Sequence, residues 1–167
     1  GLRYIGYVMT ELHTILVFIH LAIGVFFTST SSAILNQYFE IELDSKMKRT
    51  SQRPLPQRRI SKKTALSLGI SFSAFGLIYL YIYVNLLTSV IAFLTVFSYL
   101  FIYTPSKTRS KWNTIIGSFP GALPPVGGWT AATNEINFPA LILFLILFFW
   151  QIPHFLSLAI LYKDDYQ

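Results

Sequence analysis

The chain has no cysteine, so disulfides and thiolate chemistry are excluded and nothing about its redox compartment can be read. Charge is the second scarcity. Only 12% of the 167 residues are charged, about half of the roughly 25% carried by a soluble domain. Acids are rarest, seven against thirteen Lys and Arg, which leaves a net charge of +6. No internal repeat is apparent. The chain opens at Gly1 with no basic segment ahead of an apolar run, so no signal peptide is expected. It stops at Gln167 just after an acidic pair, and we expect a segment of a longer protein.

What fills the chain instead is apolar. It is 53% hydrophobic and 17% aromatic, with mean hydropathy +0.54. These values predict an integral membrane protein, an all-α polytopic transmembrane helix bundle folded as one domain over residues 1–167. The apolar runs predict five spans, at about 14–35, 64–83, 86–103, 115–133 and 138–161. Residues 1–13 read as the tail of a preceding helix and its outer loop. Gly24, Ser29, Ser31, Ser32 and Ala33 make one side of the first span small enough for a neighbouring helix to approach closely. The fourth span is weaker, rich in Gly, Pro and Ala, and its glycines read as close packing or a helix break.

Five spans place residues 36–63, 107–111 and Lys163 on one side. Twelve of the thirteen Lys and Arg residues lie there. The positive-inside rule makes that side cytoplasmic, or the matrix side of a mitochondrial inner membrane. The same rule accounts for the net charge without a nucleic-acid partner. Five of the seven acids, Glu40, Glu42, Asp44, Asp164 and Asp165, fall on that face too. Two acidic clusters meeting at one membrane face point to one site.

The densest part of that face is NQYFEIELDSKMKRTSQRPLP, residues 36–56. Asn36, Glu40 and Asp44 are spaced four apart, so on a helix their side chains leave one face on successive turns. Three hard oxygen donors there can hold Mg²⁺, which proteins often share with a substrate phosphate. Lys and Arg behind them can clamp the phosphate oxygens, Arg through a planar fork. The apolar spans offer room for a lipid tail. The pattern thus points to a membrane-embedded diphosphate site. The plainer reading is a solvated helix end, with Glu40 and Asp44 paired to Lys48. His20 lies mid-span and reads equally as a ligand or as a helix-contact histidine.

Residues 36–56 resemble the first aspartate-rich motif of the protohaem IX farnesyltransferases, a branch of the UbiA-type intramembrane prenyltransferases. The resemblance continues through YTPSKTRSKWNTIIGSFPGALPPVGGW, residues 103–129, and WQIPHFLSLAILYKDDY, residues 150–166. The acidic pattern alone is weak; joined to M-x-R-T-x-x-R-P-L-P and P-H-F it is specific. The resemblance implies a nine-helix bundle around a central cavity, of which this chain holds about helices two to six. It implies transfer of the farnesyl group of farnesyl diphosphate to a vinyl group of haem b, with water added and diphosphate released, giving haem O. It implies Mg²⁺ as cofactor and compatibility with downstream haem-modifying or oxidase-assembly partners. Residue by residue, Asn36, Glu40 and Asp44 match the first metal motif. Arg49 and Arg53 match its basic continuation. Lys107, Arg109 and Asn113 match a diphosphate-holding loop, and His154, Asp164 and Asp165 match the second motif. Asp164 and Asp165 are implied as further metal ligands, and Asp165 joins Asn36, Glu40 and Asp44 as catalytic.

The chain departs from the wider superfamily at Glu40, where Asp is usual, at Thr108, where Arg is frequent, and at His154, which replaces an acid. His154 follows Pro153, which can bend its helix toward the cavity. Its role is open among haem-iron ligand, propionate partner and diphosphate contact. The competing functions are a prenyltransferase for an aromatic quinone precursor, a transporter, and a non-catalytic haem-handling membrane protein. A transporter would place its ionisable residues near the midplane rather than at one face.

Overall fold

The structure, a computed structural model, describes the backbone of residues 2–47, 50–110 and 112–161, and the side chains of 12–47, 50–110, 112–157 and 161. Long apolar runs with few breakers fold as helices. They are α1 (Leu2–Phe39), α2 (Ile41–Lys46), α3 (Lys62–Tyr83), α4 (Leu86–Phe97), α5 (Thr104–Arg109), α6 (Asn113–Thr133) and α7 (Phe138–Leu161). A π-helical segment, Ser98–Tyr103, joins α4 to α5 without a break. Four stretches are long and apolar enough to cross a membrane: Leu12–Phe39, Lys62–Tyr83, Leu86–Arg109 and Phe138–Ser157. Large apolar side chains stand exposed along them, such as Phe18, Ile82, Phe138 and Phe149. A surface of that kind needs lipid rather than water.

Three boundaries differ from the sequence expectation. Residues 2–13 do not hold a separate helix tail and loop. From Leu2 onward α1 is one helix of 38 residues, because no proline or turn cluster interrupts it. Thr104 to Asn113, expected as a basic loop between the spans at 86–103 and 115–133, is not one either: α5 carries the helix to Arg109, and of the described residues only Ser110 and Trp112 lie outside a helix. Pro105 explains the geometry. Its ring would clash with the carbonyl four residues back in a regular helix. The wider π turn before it relieves that clash, and Thr104 returns both its N–H and its hydroxyl (2.9 Å) to the Tyr99 carbonyl. The third difference is α6, which is helical throughout despite Pro120, Pro124 and Pro125 but is less apolar than the four candidate spans. Eight of its residues are buried among neighbours, so it needs less of the greasy surface that lipid demands.

Caps set the ends. Ser61 accepts from the Thr64 N–H at 3.1 Å to start α3. Asn85 accepts from the Thr88 N–H at 2.8 Å to start α4. Its amide also donates to the Thr130 carbonyl at 2.8 Å, tying the turn between α3 and α4 to the end of α6. Thr88 and Thr130, both fully buried, share a 3.0 Å hydroxyl contact beside it.

The helices approach through glycine notches. Gly69 of α3 receives Leu35 of α1, and Gly24 of α1 receives Leu80 of α3. Ser31 donates to the Gly69 carbonyl at 2.8 Å across the same contact. Of the small residues expected to admit a neighbour, Gly24 and Ser31 do so, whereas Ser29, Ser32 and Ala33 face a cleft. Gly117 seats the Tyr103 ring and Gly121 seats Gln151, so α6 packs closely on both sides. At Gly76 an added Cβ would lie 3.0 Å from the Thr28 nitrogen and 3.1 Å from the Gly24 oxygen, both backbone atoms that cannot swing aside. Gly76→Val is therefore expected to lose about 1–3 kcal/mol of stability in reversible unfolding in detergent. Gly128→Ala, whose Cβ meets nothing within 4 Å, is expected to lose none. Equal stability of the two variants would rule out the close α1–α3 contact.

Candidate functional site

Asn36 lies in the last turn of α1. The helix falters at Glu40, where φ is −99° and ψ is 10°, before α2 begins. Backbone bonding carries across the fault: the Glu40 N–H reaches the Asn36 carbonyl at 2.9 Å and the Asp44 N–H reaches the Glu40 carbonyl at 2.8 Å. The four-residue register therefore survives. Asn36, Glu40 and Asp44 are 6%, 8% and 3% exposed, so all three are withdrawn from water.

Buried carboxylates need partners. Glu40 has Lys107, whose Nζ donates to Oε1 at 2.8 Å, and Asn36, whose Nδ2 donates to Oε2 at 2.7 Å. The Asn36 Oδ1 in turn lies 3.1 Å from the Thr104 hydroxyl. That hydroxyl has one hydrogen to divide between Asn36 and the Tyr99 carbonyl. Asp44 has Arg53, whose Nη1 bridges both carboxylate oxygens at 3.0 and 2.8 Å. Thr50 donates to the Asp44 backbone carbonyl at 3.1 Å, folding the loop back over α2. Lys107 also stands 4.8 Å from the Tyr103 ring centroid and 5.8 Å from that of Tyr99. Its charge is thus shared between a carboxylate and two aromatic faces.

Those two rings open onto a cleft of about 470 Å³ between α1, α4 and α6. Its walls are Val25, Ile91, Val96 and the glycines of α6 with Pro120 and Pro124, and it reaches Leu80 and Thr88 at the other end of the bundle. The hydroxyls on its α1 wall are turned back onto their own helix: Thr28 donates to Gly24, Ser29 to Phe26 and Ser32 to Thr28. The cleft therefore shows mainly carbon to whatever enters it. A second groove, about 600 Å³, lies between α2 and the start of α3 and is lined by Glu42, Arg58 and Lys62.

Of the residues singled out in the sequence, Asn36, Glu40, Asp44, Arg53 and Lys107 come together. Arg109 is exposed at the end of α5. Asn113 opens α6 half-buried, with the Thr114 hydroxyl at 3.3 Å, and does not join the cluster. His154 is exposed and stacked on Trp150 at 5.1 Å, while its neighbour Phe155 lines the cleft. Arg49, Asp164 and Asp165 lie outside the described residues, as does Lys48. His20 joins α1 to α3, with its Nδ1 2.8 Å from the Tyr79 hydroxyl and its ring stacked on Tyr83 at 4.9 Å. Thr50, Tyr99, Tyr103 and Thr104 were not singled out. Tyr103 and Lys107 are four apart, a helical spacing that becomes visible only once residues 104–109 are read as helix.

Among the described residues no three His, Asp or Glu side chains converge on one point. The described donors are two carboxylates and one amide oxygen. As hard, buried oxygen ligands on one helical register they suit Mg²⁺ in kind.

The model of the UbiA prenyltransferase family matches residues 4–167. The chain is 46% identical over 148 residues to a protoheme IX farnesyltransferase of Solibacter usitatus, covering 89% of this chain and 51% of that protein. It is 42% identical over 145 residues to one of Sorangium cellulosum, covering 87% and 52%. With one of Anaeromyxobacter sp. it shares 46% over 132 residues, covering 79% and 45%. The chain thus spans about half the length of the curated relatives it matches. No solved structure matches it.

The pairing of Glu40 with Lys107 can be measured directly. Glu40→Gln and Lys107→Met are each expected to destabilise the protein, and the double variant to lose less than their sum by about 1 kcal/mol or more. Strict additivity in that cycle would show that the two side chains do not interact.

Proposed function

This chain belongs to the UbiA prenyltransferase family, and from that premise we propose that it carries the diphosphate-binding site of a protohaem IX farnesyltransferase. The reading takes farnesyl diphosphate and haem b as substrates and haem O and diphosphate as products. The observation that carries it is one juxtaposition. A buried row of Asn36, Glu40 and Asp44, charge-balanced by Lys107 and Arg53, meets an apolar cleft through Lys107, which lies over the Tyr99 and Tyr103 rings that line it. A molecule with a polyanionic head and a hydrocarbon tail matches both parts.

In this reading Asn36, Glu40 and Asp44, with Asp164 and Asp165, would hold Mg²⁺, which when bound neutralises the diphosphate and eases loss of the leaving group. Lys107 and Arg53 bind the diphosphate oxygens. Each is paired with a carboxylate at 2.8 Å, and each can exchange that partner for phosphate while the carboxylates would be taken over by Mg²⁺. The cleft excludes water from the allylic carbon while its bond to diphosphate oxygen breaks. The rings of Tyr99 and Tyr103 lie at the mouth, where their faces stabilise the positive charge that develops. The allylic carbon then bonds to the terminal vinyl carbon of haem b. Water adds its oxygen to the adjacent carbon and releases a proton, and diphosphate leaves with the electron pair of the broken bond.

The same reading counts α6 as a fifth crossing, since 21 residues reach about 30 Å. It assigns the face bearing Glu40 and Lys107 to the cytoplasm or the mitochondrial matrix.

The test is conversion of haem b in membranes supplied with farnesyl diphosphate and Mg²⁺, read by mass analysis of the extracted haem. A farnesylated and hydrated haem is expected, and it should disappear with EDTA. Asp44→Asn should lower turnover by about a hundredfold or more while membrane insertion is retained. Unmodified haem in membranes that still bind it would refute the transferase reading. Full turnover by the variant would remove Asp44 from the site.

A further inference from the structure

We propose that Leu80 is the residue that limits the length of prenyl chain the cleft accepts, an inference that rests on the prenyl-diphosphate reading above. Helix α3 lies behind α1, and among the described residues Leu80 is its one side chain that lines the cleft. It is fully buried. It reaches the cleft through the notch at Gly24, where an added Cβ would overlap the Leu80 Cγ and Cδ2. Thr88, at the start of α4, lines the cleft too; its hydroxyl lies 3.0 Å from that of Thr130 and its N–H is capped by Asn85 at 2.8 Å.

The two ends of the cleft are therefore unlike. The mouth lies beside Lys107, where the charged head is held, and the floor is made by Leu80 and Thr88, with Thr130 behind Thr88. From Tyr103 to Thr88 the helix rises about 20 Å, so a chain anchored at the mouth has a bounded path. At the floor the threonines are pinned, and moving them would leave buried polar groups unpaired. Leu80 is held by dispersion and fit alone, so its volume can change without that cost. The notch supplies a control of opposite sign. Leu80→Ala lowers the floor, while Gly24→Ala drives the flexible end of Leu80 into the cleft and raises it.

The test is binding without haem b, with the protein in nanodiscs and labelled farnesyl diphosphate displaced by its geranyl and geranylgeranyl counterparts. Leu80→Ala is expected to shift relative affinity toward geranylgeranyl diphosphate by about tenfold, and Gly24→Ala to shift it toward geranyl diphosphate by a similar factor. Leu80→Val, a smaller change, should shift it in the same direction as Leu80→Ala and serves if that variant does not fold. Unchanged ratios in variants that still bind farnesyl diphosphate would overturn the assignment of Leu80. Failure of the unaltered protein to bind any prenyl diphosphate would overturn it together with the reading beneath it. A shifted ratio in protein that never modifies haem b would support Leu80 as the stop while refuting the transfer reaction.

Discussion

Two carboxylates buried at the end of a membrane helix cannot stand alone, and the arrangement of this protein follows from how they are paired. Glu40 and Asp44 are almost closed to water, where an unpaired charge is strongly disfavoured. Their partners come from two other segments, Arg53 from the following loop and Lys107 from α5. Each pairing fixes a piece of backbone. Arg53 and Thr50 draw the loop over Asp44, and Lys107 with Thr104 brings α5 against the end of α1. The cations that balance these carboxylates are those that a diphosphate would recruit, so one set of charges serves both the fold and the chemistry proposed for it.

Behind that cluster the packing depends on small residues. A bilayer gives helices little hydrophobic reason to associate, so close approach and shape complementarity matter more. Gly24, Gly69 and Gly76 bring α1 and α3 together, and Gly117 and Gly121 let α6 sit against Tyr103 and Gln151. Where α1 turns Ser29, Ser32 and Ala33 away from α3, the same smallness leaves space, and that space is the apolar cleft. Close contact and open cleft are thus two faces of one small-residue pattern.

The membrane character, the helical class and four of the five expected spans were legible from hydropathy and length, because lipid imposes a strong, local requirement on sequence. Asn36, Glu40 and Asp44 were legible as one face because helical register is also local. Basic clusters marked the end of the bundle where the site lies. The loop expected at 104–113 was misread because proline and lysine are usual loop residues. The π turn that admits Pro105 is a backbone adjustment that composition does not announce. Glu40 and Asp44 could be expected to pair with some cation. Lys48, the neighbour in sequence, lies outside the described residues; among those described, Lys107, 67 positions away, is the cation that meets Glu40.

What the sequence by itself determined is the kind of protein and the chemical kind of site: a helical membrane chain with hard oxygen donors and cations gathered at one face. These follow from periodicity and composition, which act over a few residues at a time. Only the tertiary structure decided which cation meets which carboxylate, that Tyr99 and Tyr103 line the cleft beside Lys107, that Arg109 and His154 stay outside the described cluster, and that Leu80 reaches the cleft beside Gly24. Those are contacts between helices far apart in sequence. Their register is set by the fit of whole surfaces, and no local rule specifies it.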